Sequence, residues 1–228
     1  MKIALIGATG FVGKAALSEL LARGHAVTAL ARNPGSLTPE PLLSVQALDA
    51  YDADAVARAV LGHDGVVSAF NPGWTAPELY PLFMKGSDAI VRGVETAGVR
   101  RLLVVGGAGS LFVAPGVQLV DTPAFTDHVP PNIVPGAMAA RDALSELRKN
   151  QTLDWTFLSP AALLAAGPRS GTYRLGSEDL LMSGDRPAGI SVADLAVAIV
   201  DELERPRHVR ARFTVASVDA GDAATGSA

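Results

Sequence analysis

The sequence predicts an α/β fold, a single domain built on a doubly wound parallel sheet, and three observations support this prediction. Apolar segments of strand length alternate with longer segments of helical periodicity along most of the 228 residues. A strand, a glycine-rich turn and a helix follow one another directly within residues 2–22. Hydrophobic residues make up 49% of the chain and charged residues 18%, which suits a sheet covered by helices on both faces.

Length and composition exclude several classes of protein. A chain of 228 residues is ordinary for one α/β domain, and we place that domain at residues 1–218. With no cysteine there are no disulfides and no thiolate ligands. The four histidines lack the i, i+4 spacing of helical metal sites, so no metal is predicted.

The charge and the hydropathy of the chain bear on its partners. A net charge of −4 gives no electrostatic reason to expect nucleic acid as a partner. No segment reaches the roughly 18 uninterrupted apolar residues of a membrane span, so no membrane partner is predicted. The first strand is too short for a signal peptide, and we expect a cytoplasmic protein. The oligomeric state is not predicted.

The first turn carries most of the functional information. A short apolar strand at 3–6 ends in a segment that opens the helix at 11–22, and this segment reads Gly7-Ala8-Thr9-Gly10-Phe11-Val12-Gly13. Glycines here allow a tight turn, close approach of a ligand and tight packing of helix on strand. The helix start offers unpaired N–H groups and a partial positive charge to a pyrophosphate. The stretch therefore predicts a Rossmann-type dinucleotide site, with Gly7, Thr9, Gly10, Phe11, Val12 and Gly13 in contact with the cofactor.

The ends of the next two strands indicate which dinucleotide is bound. Gly24 ends the first helix and a strand follows at 26–31. Arg32 then stands where NAD-binding domains place a carboxylate for the ribose 2′-OH, which favours NADP(H) over NAD(H). Asp49 ends a third strand at 43–48, where it could accept a hydrogen bond from the adenine amino group or serve only as a turn residue.

The remaining elements continue the alternation. Asp52 is a candidate N-cap before a helix at 55–61, and Gly98 ends a long helix. Further strands are predicted at 65–70, 99–105, 155–158 and 212–216, and further helices at 77–97, 137–149 and 192–203. Five strands alternating with helices imply a parallel sheet with right-handed crossovers.

Three segments depart from this regular pattern. Residues 111–135 contain five prolines and are predicted to be an irregular functional loop or a lid. Residues 167–176 are glycine-rich and hairpin-like, within a small C-terminal, substrate-side part at about 160–218. Residues 219–228 are small and polar, and a disordered tail is predicted there.

Small residues end the fourth and fifth strands. Ala69 and Phe70 follow Ser68, and Gly106 and Gly107 begin a second glycine cluster. Such strand ends allow a flat ligand to approach the backbone closely. The nicotinamide is predicted along these ends, with Pro160 beside it.

Taken together, these motifs resemble a known family. GATGFVG at the start, Arg32, Asp49, the VVGGAGS strand end, DWTFLSP, ISVADLA and the closing RARFTV resemble the atypical short-chain dehydrogenase/reductases. Within that group they are most similar to NAD(P)-binding proteins often called NADH-flavin reductases, which are related to NmrA-like proteins and biliverdin-IXβ reductase. The resemblance extends to about Val218 and implies an NAD(P)H-dependent reductase.

One expected feature of this superfamily is missing. Its members carry a Tyr-x-x-x-Lys pair on the helix after the fifth strand, and the tyrosine protonates a substrate carbonyl oxygen. That helix here begins Ala-Met-Ala-Ala-Arg-Asp at 137–142, and none of Tyr51, Tyr80 and Tyr173 has a lysine four residues later. Ser110 matches the superfamily's serine. His128, in the irregular segment, is either a substitute acid or an exposed loop histidine.

The missing tyrosine favours a particular acceptor. A ketone needs a placed acid for the developing alkoxide, whereas a flavin spreads the charge of an added hydride over its ring and can take a proton from solvent. We therefore predict hydride transfer from NADPH to a free flavin such as FMN, or to a similar planar small molecule. Trp74 and Phe112 could stack on that molecule or pack in the core or lid.

Two other functions are compatible with the same motifs. A non-catalytic NADP(H) sensor like the NmrA-type regulators also needs no tyrosine. A sugar-nucleotide epimerase is disfavoured, because those enzymes keep the tyrosine and usually have a longer C-terminal substrate region.

Overall fold

The computed structural model of the chain describes residues 1–218, and the predicted tail at 219–228 lies outside that range. Strands and helices alternate as predicted through the first five strands of the chain. The strands are β1 (Lys2–Ile6), β2 (Ala26–Ala31), β3 (Leu43–Ala47), β4 (Gly65–Ser68), β5 (Arg101–Val105), β6 (Phe112–Ala114), β7 (Val117–Gln118), β8 (Asp154–Pro160), β9 (Leu163–Ala165), β10 (Arg174–Gly176), β11 (Met182–Ser183), β12 (Arg186–Pro187), β13 (Gly189–Ser191) and β14 (Ala211–Ala216). The helices are α1 (Phe11–Ala22), α2 (Ala53–Val60), α3 (Leu79–Thr96), α4 (Pro123–His128), α5 (Val134–Leu147) and α6 (Val192–Glu204).

The main sheet has eight strands in the order β10-β14-β8-β5-β4-β1-β2-β3. Every pair is parallel except β10 with β14, which is antiparallel. The chain winds outward from β1 through β2 to β3 and then returns to β4 on the other side of β1. This confirms the doubly wound, Rossmann-type sheet, and the change of direction between β1 and β4 is where such sheets bind ligands.

Helices cover both faces of this sheet. Ile3 and Leu5 of β1 belong to a buried cluster shared with α1 and α6. Ala4 and Ile6 point to the opposite face and belong to a second cluster shared with α2, α3 and α5. Both faces of each central strand are therefore buried, which explains why these strands are apolar along their whole length.

The structure corrects the predicted irregular segment at 111–135. One single-turn 3₁₀ helix (Leu119–Asp121), the β6–β7 pair and α4 lie within it. Helix α5 begins at Val134 rather than at residue 137, because Pro135 lies in its first turn, where a missing N–H costs nothing.

The glycine-rich segment at 167–176 is not a hairpin. Its only strand is β10, which pairs with β14 at the edge of the main sheet. This pairing joins residues about 40 positions apart, and a local pattern does not predict such a contact. The other small strands have two or three residues, too few for periodicity to reveal them.

Within residues 1–218, no helix is both long and apolar enough to cross a membrane.

Candidate functional site

A cavity of about 220 Å³ opens between the carboxyl ends of β1, β2, β3 and β4. It lies where the winding direction of the sheet changes. Seven predicted cofactor residues line it: Gly7, Thr9, Gly10, Arg32, Asp49, Ala69 and Phe70. The structure thus brings together residues from four separate strand ends.

The three glycines of the first turn have different surroundings. Gly7 has φ +81°, and an added Cβ would lie 2.4 Å from the carbonyl oxygen of Ala69. At Gly13 an added Cβ would lie 2.0 Å from the Gly7 oxygen, so α1 packs directly on the turn. Gly10 is exposed, and its added Cβ would meet only the Gly7 oxygen, at 3.2 Å. Gly7 and Gly13 are therefore needed by the fold, and Gly10 leaves space for a ligand.

Backbone hydrogen bonds fix this turn against the neighbouring strand. The N–H groups of Gly7 and Ala8 both donate to the carbonyl oxygen of Leu30, at 2.8 and 3.3 Å. Helix α1 then begins at Phe11, with Gly10 as its N-cap. Phe11, Val12 and Gly13 form its first turn, outside the cavity wall, and their amide groups lie at the partially positive N-terminal end of the helix.

Arg32 is the cation of this cavity. Its guanidinium is exposed and makes no hydrogen bond or ion pair with any residue in 1–218. Asp49 lies in the same wall, and its Oδ1 accepts a hydrogen bond from the Tyr51 N–H at 3.0 Å. The turn role of Asp49 is thus present, and its contact with adenine stays a prediction.

Aromatic side chains line the same cavity. Tyr51 lines the cavity, and its ring meets that of Phe70 edge to face with the centroids 5.8 Å apart. Phe70 in turn lies 6.0 Å from Phe83 and fills the space beside Gly86, where an added Cβ would lie 2.3 Å from its ring. Sequence reasoning missed Tyr51, although its position two residues after a strand-end aspartate was a usable signal.

The other residues predicted beside the nicotinamide differ from one another in their surroundings. Gly106, Gly107 and Pro160 lie outside the cavity wall. An added Cβ at Gly106 would lie 2.0 Å from the ring of Phe157, so packing alone requires a glycine there. At Gly107 the nearest atom would be the Ala140 Cβ, at 4.0 Å, which leaves the strand end open. Pro160 is the buried last residue of β8.

Ser110 is held by a buried arginine. It is 1% exposed, and its Oγ accepts a hydrogen bond from Nη1 of Arg212 at 3.2 Å. Nη2 of Arg212 donates to the backbone oxygen of Glu178 and pairs with its carboxylate, which also binds Arg148. The hydroxyl of Ser110 is thus part of a network that ties β14 to the residues after β5.

The other candidate side chains also lie outside the cavity wall. His128 ends α4, is exposed, and bonds through Nδ1 to the Ala124 carbonyl oxygen at 2.9 Å. Trp74 is 48% exposed, and its ring lies against Gly136 at the start of α5, where an added Cβ would be 2.9 Å from it. This contact with Gly136 supports packing, rather than stacking on an acceptor, as the role of Trp74. The catalytic roles of Ser110 and His128 stay predictions.

Two tyrosine hydroxyls outside the cavity are bound to carboxylates. Tyr80 donates to Asp142 at 2.8 Å and Tyr173 donates to Asp201 at 2.7 Å. The hydrogen bond to Asp142 raises the pKa of Tyr80, and burial together with Asp201 raises that of Tyr173. Neither hydroxyl is therefore suited to give up a proton near neutral pH.

The family follows from comparison with known proteins. The model of a family described as NAD(P)H-binding matches residues 7–206. The chain belongs to this family. Its match covers all the residues that line the cavity except Ile6.

Individual relatives of this NAD(P)H-binding protein agree with its fold. The protein YwnB of Bacillus subtilis is 40% identical over 220 residues, which are 95% of this chain and 99% of YwnB. A Bacteroides thetaiotaomicron structure, provisionally named an epimerase, is 44% identical with a TM-score of 0.88, covering 96% of this chain and 97% of its own. A Streptococcus pneumoniae structure, provisionally named an NADH-flavin reductase, is 35% identical with a TM-score of 0.79, covering 96% and 100%.

Proposed function

We propose that the protein is an NAD(P)H-dependent oxidoreductase that transfers a hydride from NADPH to a free flavin or a similar planar acceptor. The family match supports the nicotinamide cofactor. The name of the Streptococcus pneumoniae relative supports the general class of reaction. The preference for NADPH and the identity of the acceptor are inferred from this chain's own residues.

The fit of a dinucleotide rests on the shape of the first turn. Gly7 and Gly13 pack strand, turn and helix together, while Gly10 keeps the mouth of the turn free of side chains. The start of α1 adjoins this mouth and favours a pyrophosphate. Arg32, without a partner in the described chain, would pair with the 2′-phosphate of NADPH. When bound there, NADPH would supply the hydride.

The observation that carries the choice of acceptor is the position of the tyrosines. Helix α5 has none, Tyr80 and Tyr173 are bound to carboxylates, and Tyr51 lies at the Arg32 end of the cavity. A carbonyl substrate would lack a placed acid. A flavin or quinone needs mainly proximity and orientation from the protein.

An apolar groove supports a planar acceptor. Residues 112–116 and the facing side chains of Asp179, Leu180 and Met182 enclose about 560 Å³. The groove begins at Phe112, two residues after Ser110 and seven residues after the end of β5. Phe112 lies in its wall and would contact a flat ring there.

The test is NADPH oxidation followed by absorbance, with FMN, riboflavin and a simple quinone as acceptors and a parallel NADH series. Saturable turnover with higher kcat/KM for NADPH is the expected result. Tight NADPH binding with no oxidation above the buffer control for any acceptor would contradict the proposal and support an NADP(H) sensor.

The name of the Bacteroides relative raises an epimerase as a further candidate. The lack of a tyrosine on α5 argues against it for this chain. Incubating the NADP⁺-loaded protein with sugar nucleotides and analysing the products by NMR separates this candidate from a reductase.

A further inference from the structure

We propose that Tyr51 contacts the adenine of the bound dinucleotide through its ring. The inference rests on the NAD(P)H-binding cavity and does not depend on the acceptor.

The position of Tyr51 limits what it can contact. It shares one cavity wall with Arg32 and Asp49, at the ends of β2 and β3. If Arg32 binds the 2′-phosphate, the adenine must lie close to that phosphate, because both are attached to the same ribose. Asp49 and Tyr51 are joined by the hydrogen bond between Oδ1 and N–H, so the turn that carries both is fixed.

Two neighbours hold the ring of Tyr51: Phe70, which also lines the cavity, and Lys85, which does not. Phe70 meets it edge to face, and the Nζ of Lys85 lies 5.5 Å from the ring centroid. Both come from the β4–α3 part of the chain. An aromatic ring held in this way offers contact area at little cost in side-chain entropy.

The chemistry of the ring suits a base better than a phosphate. Burial raises the pKa of Tyr51, so its hydroxyl stays protonated and neutral at physiological pH. The ring therefore offers dispersion and stacking contacts that do not depend on the ligand's charge, whereas Arg32 offers charge. The two residues should recognise two different parts of one ligand.

The experiment separates these parts with two probes, adenosine 2′,5′-bisphosphate and 5′-AMP, measured by titration calorimetry. Tyr51→Ala should weaken binding of both probes by a similar factor, about 5- to 150-fold, the range for loss of a base–aromatic contact. Tyr51→Phe should bind both within about twofold of the wild type. Arg32→Ala should weaken only the bisphosphate.

Tyr80→Phe is the matched control, because this tyrosine lies outside the cavity wall. Reduced nicotinamide mononucleotide, which has no adenine, should retain its affinity in Tyr51→Ala. Unchanged affinity of Tyr51→Ala for both probes, with a circular dichroism spectrum like that of the wild type, would overturn the proposal. Because no probe is oxidised or reduced in these titrations, the result is independent of whether the protein turns over NADPH.

Discussion

Single residues in the first turn meet separate physical demands. The motif predicted three cofactor glycines, and the structure assigns Gly7 and Gly13 to packing, where an added Cβ would lie 2.4 and 2.0 Å from backbone oxygens. Of the three glycines, only Gly10 has room for a side chain. That side chain would fill the space proposed for the cofactor. Spacing alone does not reveal this division, because it depends on atoms of Ala69 and of the turn itself.

Substitutions at these glycines should therefore have opposite consequences. Gly10→Val should abolish NADPH binding and change the Tm little, because the backbone at residue 10 is extended and accessible to any residue. Gly13→Ala should lower the stability by about 1 to 3 kcal/mol, since its Cβ would overlap the turn. Thermal unfolding and cofactor titration of the two variants check this; cofactor binding by folded Gly10→Val would remove the site from this turn.

The proposed preference for NADP(H) rests on one residue, Arg32. A charge-assisted hydrogen bond contributes about 1.5 to 3 kcal/mol, so Arg32→Ala should weaken NADPH binding by about 10- to 150-fold and leave NADH nearly unchanged. Arg58→Ala, an exposed arginine on α2, is the control and should alter neither. Equal weakening of both cofactors would contradict an NADP(H) preference.

Other residue roles depended on contacts across the chain. The position of Arg32 in the cavity wall could be predicted, because it follows from the end of β2 and the spacing from the glycine motif. Ser110 could be matched to a family position, yet its partner Arg212 lies 102 residues away. Gly106 was assigned to the cofactor, and its need for a glycine arises from the ring of Phe157 on β8. No local pattern carries such information.

At the scale of elements, segments with strong hydrophobic periodicity could be predicted from the sequence, and segments without it could not. The first five strands and their helices were predicted to within a few residues, because each is apolar on both faces or along one stripe. The segments between β5 and α5 and between β8 and α6 consist mainly of very short strands and short helices. Their structure is set by long-range pairing, such as Phe112 with residues 178–180.

Helices α1 and α6 are joined by an ionic network that makes stability depend on pH. Buried Glu19 of α1 binds Arg169 and Arg23, and Arg23 also binds Asp201 of α6. The hydrogen bond from Arg169, followed by that from Arg23, lowers the pKa of Glu19 from 4.5 to about 2. A carboxyl with a lowered pKa stabilises the fold above its unfolded pKa.

The contribution of Glu19 should be complete above about pH 4.5 and be lost as the pH falls toward about 2. We expect a loss of about 1 to 3 kcal/mol across this range. Urea unfolding at a series of pH values measures it. Glu19→Gln should flatten the profile in this window, and Glu146→Gln, an exposed pair with Lys149, should not. A Glu19→Gln profile as steep as the wild type's would contradict the assignment.

At the scale of the whole molecule, the eight strands of the main sheet form two sets of four, and one set carries the cavity. Strands β1 to β4 and their helices carry the cavity, and β5, β8, β14 and β10 extend the sheet on the other side. Strand β14 lies between β8 and β10, with Phe213, Val215 and Ala216 buried. It also carries Arg212, which joins Ser110 and Glu178.

Removal of β14 should therefore affect the whole molecule. A chain that stops at Arg210 should lose cooperative thermal unfolding, because the edge of β8 and one face of the core would be exposed to water. A chain that stops at Val218 keeps β14 and is the control, expected to retain the Tm of the full chain. Cooperative unfolding of the shorter chain at an unchanged Tm would contradict this.

The place of β14 also has a consequence for biosynthesis. Of the described strands it is the last to leave the ribosome, yet β10 has no other partner in the main sheet. Domains generally fold as units, also during synthesis. The sheet beyond β8 is therefore completed only after β14 has emerged, and the edge of β8 stays uncovered in the newborn protein until then.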